Sequence, residues 1–174
     1  MPPATGDPAN RLIAELTGRG LRVAVAESLT GGLVVAELTS VPGASVVVSG
    51  GVVAYDSAVK RSVLGVPAEL LAAEGAVHPE VARQMADRVR TVLAVDDRAA
   101  DLGIATTGVA GPTDQDGRPP GTVYVGIAFG GEVEAIGLAL RGSRTEIRAA
   151  TVLAAIEAAL ARVTSRSFSR RLAE

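Results

Sequence analysis

The sequence of 174 residues contains no cysteine and no tryptophan, one histidine and one lysine. The absence of cysteine excludes disulfides, thiolate metal sites and a cysteine nucleophile, and it is compatible with an intracellular protein. Hydrophobic residues make up 48% of the chain, yet only two Phe and two Tyr occur. We therefore expect a core of small aliphatic side chains in which helices and strands pack closely.

Three further features are lacking: a basic surface stripe, a long apolar run and a signal peptide. The formal net charge is −2, and the basic residues form no stripe that would favour nucleic acid. No apolar run approaches the ~20 residues of a membrane span, and the amino terminus does not have the pattern of a signal peptide. These absences predict a soluble, cytoplasmic protein that binds neither nucleic acid nor membrane.

The chain alternates between segments typical of strands and segments typical of helices, which predicts a layered α/β fold. Gly130 and Gly131 join two β-rich segments as in a hairpin, so the sheet should be mixed. The length fits one domain, which we place at residues 1–164 with a polar tail at 165–174. Strands are predicted at 22–26, 45–55, 102–106, 122–130 and 132–142. Helices are predicted from 8 to a stop at Gly18 and Gly20, and at 33–40, 56–65, 78–94 and 143–163.

Ser28 lies where the first predicted strand turns into a helix through Thr30, Gly31 and Gly32. Helix-terminal N–H groups can stabilise an oxyanion or a phosphate at such a turn, and glycine lets a ligand approach the backbone. The alternative interpretation is that Ser28 or Thr30 only caps the helix. The turn also lacks the G-x-S-x-G pattern of the hydrolase elbow.

A serine nucleophile needs a base. His78 precedes Pro79 at a predicted helix start, which favours a capping role for this histidine. Lys60 is the sole lysine among 17 basic residues, and lysine, unlike arginine, can lose its proton when it is desolvated. The alternatives are a solvated helix residue, or an S-x-x-K pair with Ser57, although the other motifs of that enzyme class are absent.

The longest segment without regular structure is predicted at Thr106 to Gly121, and long loops at strand ends commonly carry ligand contacts. Its acidic run, Asp114 to Gly117, is too incomplete for a calcium loop, and we predict no metal. Arg144 and Arg148 are one helical turn apart and could bind a phosphate. They could equally form an exposed helix face.

Five ordered segments, spread over nearly the whole chain from Leu12 to Val163, resemble the CinA carboxy-terminal domain family. They are ESLTGG (27–32), GGVVAYDSAVK (50–60), TTGVAGPT (106–113), PPGTVYV (119–125) and RGSRTEIR (141–148). The resemblance implies a three-layer α/β/α sandwich with a mixed sheet. It also implies a metal-independent and cofactor-free amidase that converts nicotinamide mononucleotide and water to nicotinate mononucleotide and ammonia, a step of pyridine nucleotide salvage.

Carried over by motif, the resemblance also implies roles for individual residues. Ser28 matches the nucleophile, Lys60 the base and Tyr55 a neighbouring hydroxyl that could relay or orient the proton. The residues implied in substrate binding are Thr30, Gly31, Gly32, Thr107, Gly108 and Arg144, the last of these facing the phosphate. The family usually has Cys where this chain has Leu29, and we expect Leu29 to be inward and structural.

The mechanism expected is acyl transfer, with backbone N–H groups of residues 29–32 holding the oxyanion. Two other readings stay open at this point: a non-catalytic nucleotide-binding domain, and an amidase for another small amide. The Ala-rich, apolar helices also predict a homodimer.

Overall fold

The computed structural model describes residues 6–171, with side chains described for residues 6–165. These described residues form six helices and five strands. The helices are α1 (Pro8–Arg19), α2 (Leu33–Thr39), α3 (Ser57–Ser62), α4 (Ala68–Glu74), α5 (Pro79–Val92) and α6 (Arg144–Arg171). The strands are β1 (Val23–Glu27), β2 (Val48–Val53), β3 (Leu102–Gly108), β4 (Thr122–Phe129) and β5 (Glu132–Ala139), with a 3₁₀ turn at Ala44–Val46.

The five strands form one mixed sheet in the order β2-β1-β3-β4-β5. β1 lies parallel to both β2 and β3, whereas β4 is antiparallel to β3 and to β5. The predicted hairpin is confirmed, since Phe129 pairs with Glu132 across Gly130 and Gly131. Because β1 and β3 are parallel neighbours, their carboxyl ends meet at the same edge of the sheet.

Helices cover both faces of the sheet, which confirms the three-layer α/β/α sandwich. One face buries large aliphatic side chains such as Val25 and Ile104 against α1, α2 and α6. The other face is lined by alanine, including Ala24, Ala26 and Ala105, and packs against α5. The expected core of small aliphatic side chains is thus concentrated on the α5 side.

α5 can lie close to the sheet because two strand residues beneath it are glycine. A Cβ atom on Gly103 would be 1.8 Å from the carbonyl oxygen of Ala86, and one on Gly126 would be 2.1 Å from that of Ala82. Any side chain at either position would displace the helix, so these glycines fix the distance between the two layers.

The structure differs from the sequence prediction in several element bounds. α4 was not predicted, β2 begins at Val48 rather than at residue 45, and α6 continues past Val163 to Arg171. β3 extends to Gly108 and so takes up the first residues of the predicted loop. The division at residue 164 stays a prediction, and the predicted tail lies largely outside the residues whose side chains are described.

Within residues 6–171, no helix has both the length and the apolar character that crossing a bilayer requires.

Candidate active site

The site is built on the turn that follows β1. The Ser28 N–H donates to the carbonyl of Thr106 on β3 (3.0 Å), so the turn is fixed to the neighbouring strand end. Gly31 and Gly32 then adopt positive φ values of 61° and 102° before α2 begins. Glycine reaches this conformation without the steric cost that other residues bear, and the chain can therefore reverse direction within five residues.

Glu27 anchors this turn, a role that the sequence analysis missed. Its fully buried carboxylate accepts hydrogen bonds from the backbone N–H groups of Gly32 (3.0 Å), Val34 (3.1 Å) and Val35 (2.9 Å). These are donors at the first turn of α2, which have no partner within the helix. A carboxylate at the end of a buried strand, directly before a Gly-rich turn, is the signal that could have indicated it.

Lys60 lies on α3 and is 1% exposed, which excludes the solvated-helix interpretation. Its Nζ is 2.9 Å from Ser28 Oγ, 2.8 Å from the carbonyl oxygen of Ala54 and 3.2 Å from that of Tyr55. Asp56 positions the helix because its carboxylate accepts from the Ala58 N–H (2.7 Å) at the N-cap. Ser57, the alternative partner of Lys60, is exposed.

The surroundings of Lys60 favour loss of its proton. Burial lowers the pKa of the Lys60 ammonium from 10.5 to about 8, although the charges of Asp56 and Asp116 oppose the shift. The two carbonyl oxygens can only accept hydrogen bonds. When Lys60 is neutral, its two N–H bonds satisfy these carbonyls and its lone pair is left for the Ser28 hydroxyl. The geometry therefore presents Ser28 with a base.

Two backbone N–H groups of the turn have no partner in the described part of the chain. Gly31 N–H donates to the Ser28 carbonyl (3.1 Å) and Gly32 N–H to Glu27, but the amides of Leu29 and Thr30 are unpaired. Of the expected oxyanion donors at residues 29–32, the N–H groups of Leu29 and Thr30 are thus the two that remain. The Leu29 side chain is buried against Ala110, Val123 and Ile147 and is inward, as expected.

A polar cavity of about 300 Å³ opens beside Ser28, and its lining includes Leu29, Tyr55, Gly108, Asp114 and Arg144. A larger cavity of about 420 Å³, between α1, α2 and α6, is mainly apolar and lacks Ser28 and Lys60. We assign the chemistry to the smaller cavity because Ser28 lines it, and the buried Lys60 is in hydrogen-bond contact with the Ser28 hydroxyl.

Arg144, the first residue of α6, spans the mouth of the polar cavity. Its Nη1 donates to the Gly111 carbonyl (2.8 Å) and its Nη2 to the Tyr55 hydroxyl (3.1 Å). Both Arg144 and Tyr55 are exposed, so a ligand can reach the guanidinium. Arg148, one turn further, instead binds the carbonyls of Leu29 and Thr30. Of the two arginines, Arg144 is therefore the one available to a phosphate.

The structure brings Ser28, Lys60, Tyr55, Gly108 and Arg144 together and sets other predicted site residues apart. The hydroxyl groups of Thr30 and Thr107 are hydrogen-bonded within the protein. That of Thr30 is paired with the Thr106 hydroxyl (2.8 Å), and that of Thr107 donates to the Ala76 carbonyl (2.7 Å). Gly31 and Gly32 shape the turn without lining the cavity. Substrate binding by Thr30, Thr107, Gly31 and Gly32 stays a prediction. For the two threonines it is restricted to their backbone groups, because their hydroxyls are already paired.

The predicted capping role of His78 is also seen. Its Nδ1 accepts a hydrogen bond from the Glu80 N–H (3.2 Å) at the start of α5, and its Nε2 lies 3.6 Å from Glu74.

Comparison with known proteins gives a consistent result. The family model of the CinA C-terminal domain matches residues 6–163. A relative from Geobacillus kaustophilus, named for competence-damage induction, is 50% identical over 142 residues, which cover 81% of this chain and 33% of the relative. The chain thus spans about a third of the length of the curated relatives it matches.

Solved structures agree with this match over most of the fold. A CinA superfamily protein from Klebsiella pneumoniae superposes with a TM-score of 0.85 at 32% identity, covering 91% of this chain and 96% of that protein. The competence/damage inducible protein CihA from Agrobacterium tumefaciens has a TM-score of 0.82 at 38% identity, covering 90% and 93% of the respective chains.

Proposed function

Since this chain belongs to the CinA C-terminal domain family, we propose that it is a nicotinamide-nucleotide amidase, a hydrolase that converts nicotinamide mononucleotide and water to nicotinate mononucleotide and ammonia. The observation that carries the proposal is the 2.9 Å contact between Lys60 Nζ and Ser28 Oγ at the edge of a polar cavity. The choice of substrate rests on the motif resemblance, and Arg144 gives it a partner for the phosphate.

The first chemical step forms an acyl-enzyme. Neutral Lys60 takes the proton of Ser28 while Oγ attacks the carboxamide carbon. The negative charge that develops on the carboxamide oxygen is stabilised by the unpaired N–H groups of Leu29 and Thr30, and each such donor contributes about 3 kcal/mol in comparable sites. The protonated Lys60 then delivers a proton to the leaving nitrogen, directly or through the Tyr55 hydroxyl, and ammonia departs.

The second step releases the acid. Water attacks the acyl carbon while Lys60, again neutral, accepts its proton. Collapse of the tetrahedral intermediate breaks the bond to Oγ, and Ser28 recovers a proton from Lys60. No metal or cofactor takes part in this scheme. Every proton is accounted for by Ser28, Lys60 and water.

The test measures ammonia release from nicotinamide mononucleotide with the purified protein in the presence of a chelator. We expect release from the wild type and none from Ser28→Ala. Lys60→Arg, which retains the charge but cannot act as a base near neutral pH, should also be inactive. Ser57→Ala is the matched control, since Ser57 lies on the same helix as Lys60 but is exposed, and it should retain full activity.

Other outcomes point to other functions. Saturable binding of the mononucleotide without turnover would support a non-catalytic nucleotide-binding domain. Turnover of other small amides in its place would support an amidase of different specificity. Full activity of Lys60→Ala would rule out the proton transfers described above. Cytoplasmic location and a homodimer also stand as proposals, and light scattering tests the latter.

A further inference from the structure

Arg148, on α6, is hydrogen-bonded to the backbone of residues 28–32, which form the catalytic turn of the proposed mechanism. Its Nε donates to the Leu29 carbonyl (2.9 Å) and its Nη2 to the Thr30 carbonyl (3.1 Å). The guanidinium also lies close to Gly31, where an added Cβ atom would be 3.4 Å from Nη2. Arg148 does not line the polar cavity, so the mechanism described above leaves it without a role.

The geometry of the peptide bond connects these contacts to the chemistry. In a trans peptide, the carbonyl of one residue and the N–H of the next point in opposite directions. By holding the Leu29 carbonyl towards α6, Arg148 turns the Thr30 N–H away from α6. The peptide between Ser28 and Leu29 is oriented in the same way. Its carbonyl, that of Ser28, accepts from the Gly31 N–H (3.1 Å), and this bond fixes the direction of the Leu29 N–H.

We infer that Arg148 is a positioning residue for acyl transfer: its bonds to the Leu29 and Thr30 carbonyls hold the N–H groups of this turn where the oxyanion forms. The inference rests on the proposed serine mechanism, but it does not depend on which amide is the substrate. The guanidinium also polarises the peptides that it binds, which makes their N–H groups stronger donors.

Steady-state kinetics with nicotinamide mononucleotide give the first readout. We expect Arg148→Ala to lower kcat by about 10²-fold, the effect of losing an oxyanion donor, while KM changes little. Added guanidinium ion should partly restore kcat in this variant. Arg148→Lys keeps the charge but not the two-pronged geometry, and it should recover only part of the rate. Arg83→Ala, an exposed arginine paired with Glu80, is the matched control and should leave both constants unchanged.

A second readout separates this inference from the proposed substrate. A small fluorophosphonate reacts with an activated serine and places a phosphoryl oxygen where the oxyanion would lie. The rate of Ser28 labelling, followed by intact mass, should fall by about 10²-fold in Arg148→Ala relative to Arg83→Ala. If the wild type is labelled but releases no ammonia, a slower Arg148→Ala still supports the inference while the proposed amidase fails.

Two results would overturn the inference. One is an unchanged labelling rate in Arg148→Ala whose circular dichroism and thermal midpoint match the wild type. The other is a rise in KM at unchanged kcat, which would make Arg148 a substrate-binding residue. If Arg148→Ala does not fold, Arg148→Lys takes its place, and wild-type labelling and kcat in that variant would equally contradict the proposal.

Discussion

At the scale of single residues, the protonation state of Lys60 determines what the site can do. As an ammonium, Nζ has three N–H donors, which match the three oxygen atoms around it: Ser28 Oγ and the carbonyls of Ala54 and Tyr55. In that state it can only donate to Ser28. Once neutral, it has a lone pair to accept the hydroxyl proton, so the proposed mechanism requires the deprotonated form.

The rate should therefore rise with pH through the pKa of Lys60. Burial lowers this pKa to about 8, so the active, neutral fraction is small at pH 6 and about half at pH 8. We expect kcat/KM to increase roughly 50-fold between these pH values. Initial rates of ammonia release across this range test the expectation. A flat profile would mean that Lys60 is not the base.

Asp116 provides a way to move this profile. Burial has the largest effect on the pKa of Lys60 and lowers it. The charge of Asp116, like that of Asp56, raises this pKa. Its carboxylate also accepts from the Ala76 N–H (3.1 Å), a bond that an asparagine side chain can keep. We expect Asp116→Asn to move the rising limb of kcat/KM to lower pH.

The control for this change is Asp97→Asn. Asp97, like Asp116, is exposed and has a positive φ, 59° against 51°, so the backbone effect of the substitution is matched. The pH profile of kcat/KM for Asp97→Asn should coincide with that of the wild type. A limb that moves to higher pH in Asp116→Asn would contradict the electrostatic argument.

The sequence indicates some of these residues and conceals others. Lys60 stands out as the sole lysine, and the motifs relate it to Ser28, but only the folded chain brings their side chains together over 32 positions. Helical spacing could not decide between Arg144 and Arg148, because they are one turn apart, and only the motif resemblance pointed to Arg144. What distinguishes them is packing: Arg148 faces the catalytic turn and Arg144 the cavity mouth.

At the scale of elements, the contact between α5 and the sheet depends on two strand residues that have no side chain. Gly103 on β3 and Gly126 on β4 leave room for backbone carbonyls of α5 at Ala86 and Ala82. A methyl group there would meet a backbone atom, which cannot rotate aside as a side chain can. Small residues on this face therefore fix the packing distance, as the scarcity of aromatic residues suggests.

Gly103→Ala should lower the free energy of unfolding by about 1–3 kcal/mol, the usual cost of overpacking a close-packed interior. Gly18→Ala is the matched control, because Gly18 lies within α1 and a Cβ there would meet nothing within 4 Å. This control should be neutral or stabilising by about 0.5–1 kcal/mol. Urea unfolding followed by circular dichroism measures both, and equal stabilities of the two variants would contradict the packing argument.

Elements with strong local signals were predicted well, and those without them were not. α5 begins at Pro79, one residue after the predicted start at 78, since His78 and Pro79 are clear start signals, and α3 begins at Ser57, one residue after the predicted start at 56. α4 follows Pro67, which forms no side-chain cap, and none of its residues is buried. A short helix without a buried face leaves no apolar period for sequence analysis to detect.

At the scale of the whole molecule, one sheet is shared by both hydrophobic layers. Strands β1, β3 and β4 present alternate residues to the two faces, so Ile104 packs with α1 and α6 while its neighbour Ala105 packs with α5. Within the described residues, both helical layers bury their apolar faces against this one sheet. We therefore expect the described fold to unfold as one cooperative unit.

Two substitutions, one in each layer, test this expectation. Leu12 on α1 and Met85 on α5 are both fully buried, and replacement of either by alanine should cost about 2–5 kcal/mol. If the layers are coupled, each variant should shift far-ultraviolet circular dichroism and tyrosine fluorescence to the same midpoint. With Tyr55→Phe as the background, Tyr124 on β4 is the only tyrosine of the chain and reports on the sheet.

The control for both variants is Leu153→Ala on α6, where the side chain is 51% exposed and the change should stay within about 0.5 kcal/mol. Coincident transitions in all variants would mean that the catalytic turn, held by β1, β3 and α6, loses its geometry only when the whole fold does. Suppose instead that Met85→Ala unfolds the α5 layer while Tyr124 fluorescence stays native. The sheet with α1, α2 and α6 would then form a separate stable unit, and Ser28 could keep its turn after α5 has been lost.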